Sequence, residues 1–111
     1  MIMKVLVSDS LAEDGVKRLQ SGADVDVITN LSPEELIQKI GDYDALVIRS
    51  GTKVTADVIN AAKRLKVIGR AGVGIDNVDV EAATKKGIIV LNTPGGNTIS
   101  AAEHTIAMML A

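Results

Sequence analysis

Three segments of the 111-residue sequence combine arginine or asparagine with glycine, a combination that suits the binding of a small anion. The first is Arg49-Ser50-Gly51-Thr52, where a guanidinium can hold a carboxylate or a phosphate and small residues allow close backbone approach. The second is residues 69–79, where Arg70 adds a second cation and three glycines within six residues can aim several amides at one ligand. The third is residues 92–98, whose Asn97 can donate to a ligand oxygen.

Each of these segments also has a simpler interpretation. Arg49 can pair with a neighbouring acid at the surface, and residues 69–79 can form a tight turn before a helix. Asn97 can cap the helix that follows it, which is the more frequent role of asparagine at such a position. The residue types alone leave both sets of interpretations open.

Two other binding chemistries match the sequence poorly. Gly72 and Gly74 fit the first two positions of the dinucleotide-binding pattern G-x-G-x-x-G, but the third position falls on Asn77. In a phosphorylation receiver of similar fold, an aspartate ends the third strand and acids after the first strand bind magnesium. Here the third predicted strand ends at Arg49, so we interpret Asp9 as a helix-start residue instead.

Five short runs of β-branched and aliphatic residues recur along the chain, with helical spacing between them. These runs are residues 4–8, 24–28, 45–48, 67–68 and 88–91. Ser32, Thr55 and Asp79 stand where helix N-caps are needed, Pro33 follows at a first helical position, and Gly87 is a C-terminal stop signal.

The alternation predicts an α/β fold, a doubly wound sheet of five parallel strands with helices on both faces. Five units in one small domain favour the flavodoxin-like strand order 2-1-3-4-5. The alternating polar and apolar residues of the second run suit an edge strand, which is its position in this order. Ligands of such sheets bind beyond the carboxyl ends of the strands, where the three segments would meet.

Composition excludes several classes of function. A net charge of −2 provides no electrostatic footprint for nucleic acid or for an anionic membrane surface. The absence of cysteine and the presence of one histidine exclude disulfides, thiolate metal sites and multi-histidine metal centres. These counts lead us to expect no bound metal. No targeting or spanning segment is recognisable in the sequence, so we expect a cytoplasmic protein.

The three segments, taken in this order and followed by Ser100-Ala101-Ala102-Glu103-His104, resemble the amino-terminal part of the D-isomer-specific 2-hydroxyacid dehydrogenases. The resemblance covers essentially the whole chain. It implies that residues 1–98 form the substrate-binding domain of an NAD-dependent oxidoreductase. Residues 99–111 would begin the helix that leads into the cofactor domain of the parent enzyme.

The resemblance also implies a set of substrate contacts, namely Arg49, Ser50, Arg70, Val73, Gly74 and Asn97. Arg70 within Gly-Arg-Ala-Gly favours members whose substrate carries a phosphate besides its carboxylate, so the expected substrate is 3-phosphoglycerate, oxidised with NAD. Enzymes acting on glycerate or hydroxypyruvate carry similar loops and remain an alternative. A stand-alone anion-binding or interaction module is the other alternative.

In this family the cofactor loop and the catalytic residues lie beyond the matching segment, and His104 does not match the catalytic histidine. The resemblance therefore implies a piece of a longer enzyme that has no catalytic or cofactor-binding residue of its own and is inactive alone. We expect the last helix to pack back on the domain in a monomer, with a helix-swapped homodimer as the other outcome. The apolar stripe that must be buried is Ile99, Ala102, Ile106, Met109 and Leu110.

Overall fold

The computed structural model describes residues 3–9, 13–49, 51–71 and 77–93, along which strands and helices alternate. The strands are β1 (Lys4–Val7), β2 (Asp24–Val27), β3 (Ala45–Ile48), β4 (Val67–Ala71) and β5 (Ile89–Thr93). The helices are α1 (Glu13–Gly22), α2 (Pro33–Ile40), α3 (Ala56–Ala61) and α4 (Val80–Lys85). No helix within these described ranges is long and apolar enough to cross a membrane.

The five strands form one parallel sheet in the order β2-β1-β3-β4-β5. This order confirms the flavodoxin-like prediction and the edge position of β2. Val7 of β1 pairs with Val47 of β3, and Ile48 of β3 pairs with Arg70 of β4. The carboxyl ends of these three strands therefore lie side by side.

Three of the described helices, α2, α3 and α4, begin at the predicted capping residues. Ser32 accepts a hydrogen bond from the Glu35 amide at 3.2 Å, and the Glu35 carboxylate accepts one from the Ser32 amide, which completes a capping box. Thr55 caps α3 and Asp79 caps α4 through a side-chain oxygen that accepts a backbone amide of the first turn. Gly87 follows α4 with a φ of +76°, a left-handed conformation that few residues other than glycine adopt.

Two strands extend further than the sequence pattern indicated. We expected the chain to leave β4 after residue 68, but the strand continues through Arg70, which pairs with Ile48 on one side and with Asn92 on the other. A strand with partners on both sides keeps its hydrogen bonds even where a glycine or a charge breaks the apolar run. Asn92 and Thr93 belong to β5 rather than to the loop after it, because they pair with Arg70 and Ala71 of β4, whereas β1 and β2 each end one residue early.

The sheet separates two layers of buried side chains. The larger layer packs α2, α3 and α4 against one face, and at its centre lie Leu6, Leu46 and Ile68. These three side chains are neighbours in register on β1, β3 and β4, and none of them has exposed surface. The other face buries Val5, Val7, Ala45, Val47 and Val67. Burial on both faces gives the strand ends a rigid support.

Lys86 connects α4 to the carboxyl end of α3. Its ammonium lies 3.0 Å from the carbonyl oxygen of Ile59, 3.3 Å from that of Asn60 and 3.1 Å from that of Ala62. The neighbouring Lys85 instead makes an ion pair with one acid on the surface of its own helix. Lys86 therefore adds a charged donor to carbonyl oxygens at the carboxyl end of α3, of which that of Ile59 also accepts the Ala62 amide.

We expect Lys86→Met to lower the free energy of unfolding by about 1 kcal/mol, because charge-assisted hydrogen bonds at a helix terminus are lost. The matched control Lys85→Met should change it by less than about 0.5 kcal/mol, since exposed ion pairs contribute little. Urea denaturation of both variants checks this. Equal losses in the two variants would contradict the role assigned to Lys86.

Tyr43 lies at the amino-terminal end of the sheet, two residues before β3. Its hydroxyl donates to Asp26 Oδ2 at 2.6 Å, its ring is buried, and the Lys4 ammonium lies 5.1 Å from the ring centre. Burial of the ring, and secondly the bond to the Asp26 carboxylate, raise the pKa of the Tyr43 hydroxyl.

This raised pKa predicts a loss of stability in alkali. An unfolded tyrosine releases its proton near pH 10, whereas folded Tyr43 keeps it, so the free energy of unfolding should fall as the pH rises above about 10. Tyr43 is the only tyrosine and the chain has no tryptophan, so tyrosinate absorbance reports this residue alone. We expect tyrosinate to appear together with the loss of circular dichroism. Its appearance in a chain that is still folded would refute the prediction, and Tyr43→Phe should remove this contribution.

Candidate functional site

The carboxyl edge of the sheet brings together side chains from three strand ends. Asp9 lies two residues beyond β1, Arg49 directly follows β3, and Arg70 is the penultimate residue of β4. Arg49 is exposed, whereas Arg70 is only 7% exposed, which is rare for a cation. Because Ile48 pairs with Arg70, the two arginines belong to the same end of adjacent strands.

Asp9 holds the chain that leaves β3. Its Oδ2 accepts the backbone amide of Arg49 at 2.7 Å and that of Thr52 at 3.0 Å, and its Oδ1 accepts the Thr52 hydroxyl at 2.9 Å. Ser8 Oγ also lies 2.9 Å from the Thr52 hydroxyl oxygen. A Cβ on Gly51 would stand only 2.7 Å from Asp9 Oδ1, so glycine makes room for this carboxylate. One carboxylate therefore determines the path of the loop that carries Arg49.

Asn77 holds the same loop from its other side. Its Nδ2 donates to the carbonyl oxygen of Arg49 at 2.7 Å and to that of Thr52 at 2.6 Å. Its Oδ1 accepts the Nε–H of Arg70 at 2.5 Å. A single amide side chain thus connects the loop after β3 to the buried guanidinium on β4.

A short backbone bridge places Asn77 beside the loop. Val54 and Val78 pair as an isolated parallel bridge, with the Val54 amide 2.8 Å from the Asn77 carbonyl oxygen and the Asp79 amide 2.9 Å from the Val54 carbonyl oxygen. Both valines are buried. The bridge lies just before the N-caps of α3 and α4, so two helix starts and the site share one support.

This arrangement can bind a small molecule that carries two negative groups. Arginine forks suit carboxylate and phosphate oxygens, and both arginine-bearing segments are anchored by hydrogen bonds, several of them part-buried, before a ligand arrives. Among the residues that the structure describes, no three His, Cys, Asp or Glu side chains are grouped so that they could hold a metal ion. The described part of the site therefore offers cations and backbone geometry as its means of recognition.

The structure describes two of the six predicted contacts. Arg49 directly follows β3 and Arg70 lies next to the end of the adjacent strand β4, so both are at the carboxyl edge of the sheet. Ser50, Val73, Gly74 and Asn97, together with His104 and the predicted last helix, lie outside the described residues, and their assignments stay predictions.

Two residues at this edge have a role that the sequence pattern did not indicate. We interpreted Asp9 as a helix-start residue, but its carboxylate bonds to a loop about 40 residues away, and α1 begins only at Glu13. In the sequence, Asn77 stands out only as the residue that breaks a glycine pattern. The bonds from Asp9 and Asn77 to the loop after β3 are long-range in sequence, so no local signal could find them. The position of an acid after a strand at a binding edge is the one available hint.

Comparison with known proteins gives a consistent result. The family model of the D-isomer specific 2-hydroxyacid dehydrogenase catalytic domain matches residues 5–108. D-3-phosphoglycerate dehydrogenase of Methanocaldococcus jannaschii is 60% identical over 110 residues, which cover 99% of this chain and 21% of that protein. The human enzyme of the same name is 58% identical, with 98% and 21% covered. The chain thus spans about a fifth of the length of these relatives.

Solved structures agree with the fold. A protein of Pyrococcus horikoshii superposes with a TM-score of 0.82 at 40% identity, over 86% of this chain and 28% of that one. The NAD+-bound 3-phosphoglycerate dehydrogenase of Entamoeba histolytica superposes with a TM-score of 0.77 at 37% identity, over 98% and 38%. Because the family model matches residues 5–108, nearly the whole chain, the chain belongs to the D-isomer specific 2-hydroxyacid dehydrogenase family.

Proposed function

We propose that this chain is the substrate-binding part of an NAD-dependent D-3-phosphoglycerate dehydrogenase, the enzyme that oxidises 3-phosphoglycerate to 3-phosphohydroxypyruvate. Residues 1–98 would form the substrate-binding domain and residues 99–111 would begin the connection to the cofactor domain. The proposal is supported by relatives of that name that are 57–60% identical over nearly the whole chain.

The observation that carries the proposal is the pairing of two arginine-bearing segments at one sheet edge. Ile48 and Arg70 are in register, which places Arg49 and Arg70 at the same end of adjacent strands. In this proposal the two guanidinium groups would offer two cations to one small ligand. 3-Phosphoglycerate carries a carboxylate and a phosphate, and it would use both. In this proposal the chain binds and orients the substrate, while hydride transfer takes place against a cofactor held elsewhere.

The segment around Asn77 does not fit the pyrophosphate of NAD. In a dinucleotide loop the third glycine leaves the backbone free to pack closely. Here Asn77 occupies that position, and its side chain is engaged by Arg49, Thr52 and Arg70. We therefore assign NAD to a cofactor domain of the parent enzyme.

An exchange of segments tests the proposal. This chain would replace the matching segment of the Methanocaldococcus jannaschii enzyme, and NADH formation from 3-phosphoglycerate would be measured. We expect turnover by the hybrid and none by the 111-residue chain alone, which in this proposal lacks the cofactor domain. A folded hybrid without activity would argue against the proposal.

The same hybrid distinguishes the proposed enzyme from the nearest alternative, an enzyme that acts on glycerate or hydroxypyruvate. Glycerate and hydroxypyruvate lack the phosphate that a second arginine would bind. We expect a lower kcat/KM with glycerate than with 3-phosphoglycerate, by at least about tenfold if one charge-assisted contact is lost. Equal kcat/KM values would favour an enzyme for unphosphorylated acids.

A further inference from the structure

We propose that Asn77 is a positioning residue of the anion site, a neutral amide that fixes the Arg70 guanidinium and the Arg49 loop relative to each other. The inference rests on the proposed function and adds a specific residue to it. Its basis is three hydrogen bonds made by the Asn77 side chain. The amide nitrogen donates to two carbonyl oxygens of the loop, and the amide oxygen accepts the Nε–H of Arg70.

The bond to Nε determines more than a distance. Because the guanidinium is planar, a partner on Nε restricts rotation about the end of the side chain and sets the plane of the group. Arginine recognises carboxylate and phosphate through paired, in-plane bonds, so the orientation of this plane governs how well an anion is held. Asn77 fixes this plane with the same amide that holds the Arg49 carbonyl.

The neutrality of Asn77 matters because Arg70 is buried. An aspartate would match asparagine in size and would also accept the Nε–H, but it would add a negative charge beside the cation that is to attract an anion. It would also turn a carboxylate oxygen toward the carbonyl oxygens of Arg49 and Thr52, where the amide now donates at 2.7 and 2.6 Å. An amide is therefore the side chain that satisfies all three partners without neutralising the site.

The segment around position 77 also has support that does not involve this side chain. The segment is held by the backbone bridge between Val54 and Val78 and by the cap that Asp79 provides for α4. Substitutions of Asn77 should therefore leave a folded chain in which the geometry of the site is altered. This separates a positioning role from a purely structural one.

The test is titration of the 111-residue chain and its variants with 3-phosphoglycerate, followed by amide chemical shifts. We expect millimolar binding by the unchanged chain, several-fold weaker binding by Asn77→Ala, and binding about tenfold weaker or more by Asn77→Asp. Asn60→Asp adds the same charge at an exposed position of α3 and should bind like the unchanged chain. Circular dichroism establishes that each variant is folded.

A second arm shows whether Asn77 acts through Arg70. Arg70→Lys keeps the positive charge but has no Nε fork, so Asn77→Ala should weaken binding much less in that background. The same loss in both backgrounds, or equal binding by the unchanged, Asn77→Ala and Asn77→Asp chains, would overturn the inference and leave the proposed function standing. If the unchanged chain shows no saturable shifts, the proposed function falls and this inference falls with it.

Discussion

Replacing Asp9 by alanine is expected to release the Arg49 loop and to lower the free energy of unfolding by about 2 kcal/mol. One carboxylate accepts three bonds here, from the amides of Arg49 and Thr52 and from the Thr52 hydroxyl. Hydrogen bonds to a charged acceptor contribute more than neutral ones, and water can replace only part of them because the site is half-buried. The loss should therefore be seen in stability and in local order together.

Urea denaturation and amide hydrogen exchange measure these two effects. We expect the Arg49 and Thr52 amides to exchange much faster in Asp9→Ala. Asp9→Asn should recover most of the protection, because its carbonyl can accept both amides and its NH2 can donate to the Thr52 hydroxyl oxygen. The control Asp57→Ala removes an exposed acid from the first turn of α3 and should change stability by about 0.5 kcal/mol. Unchanged protection of Arg49 and Thr52 in Asp9→Ala would show that the loop does not depend on this carboxylate.

Leu46→Ala should destabilise the chain by about 3 kcal/mol, a large part of the total of about 5–15 kcal/mol typical of a domain. Leu46 lies on the central strand β3 with no exposed surface, between its neighbours in register Leu6 and Ile68. Its removal leaves a cavity that rigid strands on both sides cannot close. Ile89→Ala is the matched control, because Ile89 lies on the edge strand β5 and is 45% exposed.

We expect Ile89→Ala to cost less than about 1 kcal/mol, and both variants to be compared by urea denaturation. Leu46→Ala should also retain the chemical-shift response to 3-phosphoglycerate below its unfolding transition, since the bonds of Asp9 and Asn77 are untouched. A similar cost for the two variants would mean that the central strands can repack. Loss of the shift response in folded Leu46→Ala would mean that the core determines the site geometry directly.

Local patterns were sufficient for much of the fold. Ser32, Thr55 and Asp79 each cap a helix as predicted, because a capping oxygen bonds an amide two or three residues away. The strand order also followed from the sequence, since right-handed crossovers and five short βα units leave few arrangements. The apolar runs predict earlier ends for β4 and β5 than the structure has, because the two strands pair with each other through Arg70 and Asn92.

The candidate site likewise has a part that the residue types predict and a part that depends on long-range contacts. The residue types of the sequence were enough to identify Arg49 and Arg70 as cations at strand ends, because guanidinium chemistry and the rule for parallel sheets require no knowledge of contacts. Folding added what connects them: the carboxylate of Asp9 and the amide of Asn77, which meet the loop after β3 from 40 and 28 residues away. Hydrogen bonds between such distant residues depend on strand register and on one backbone bridge, and neither leaves a periodic signal in the chain.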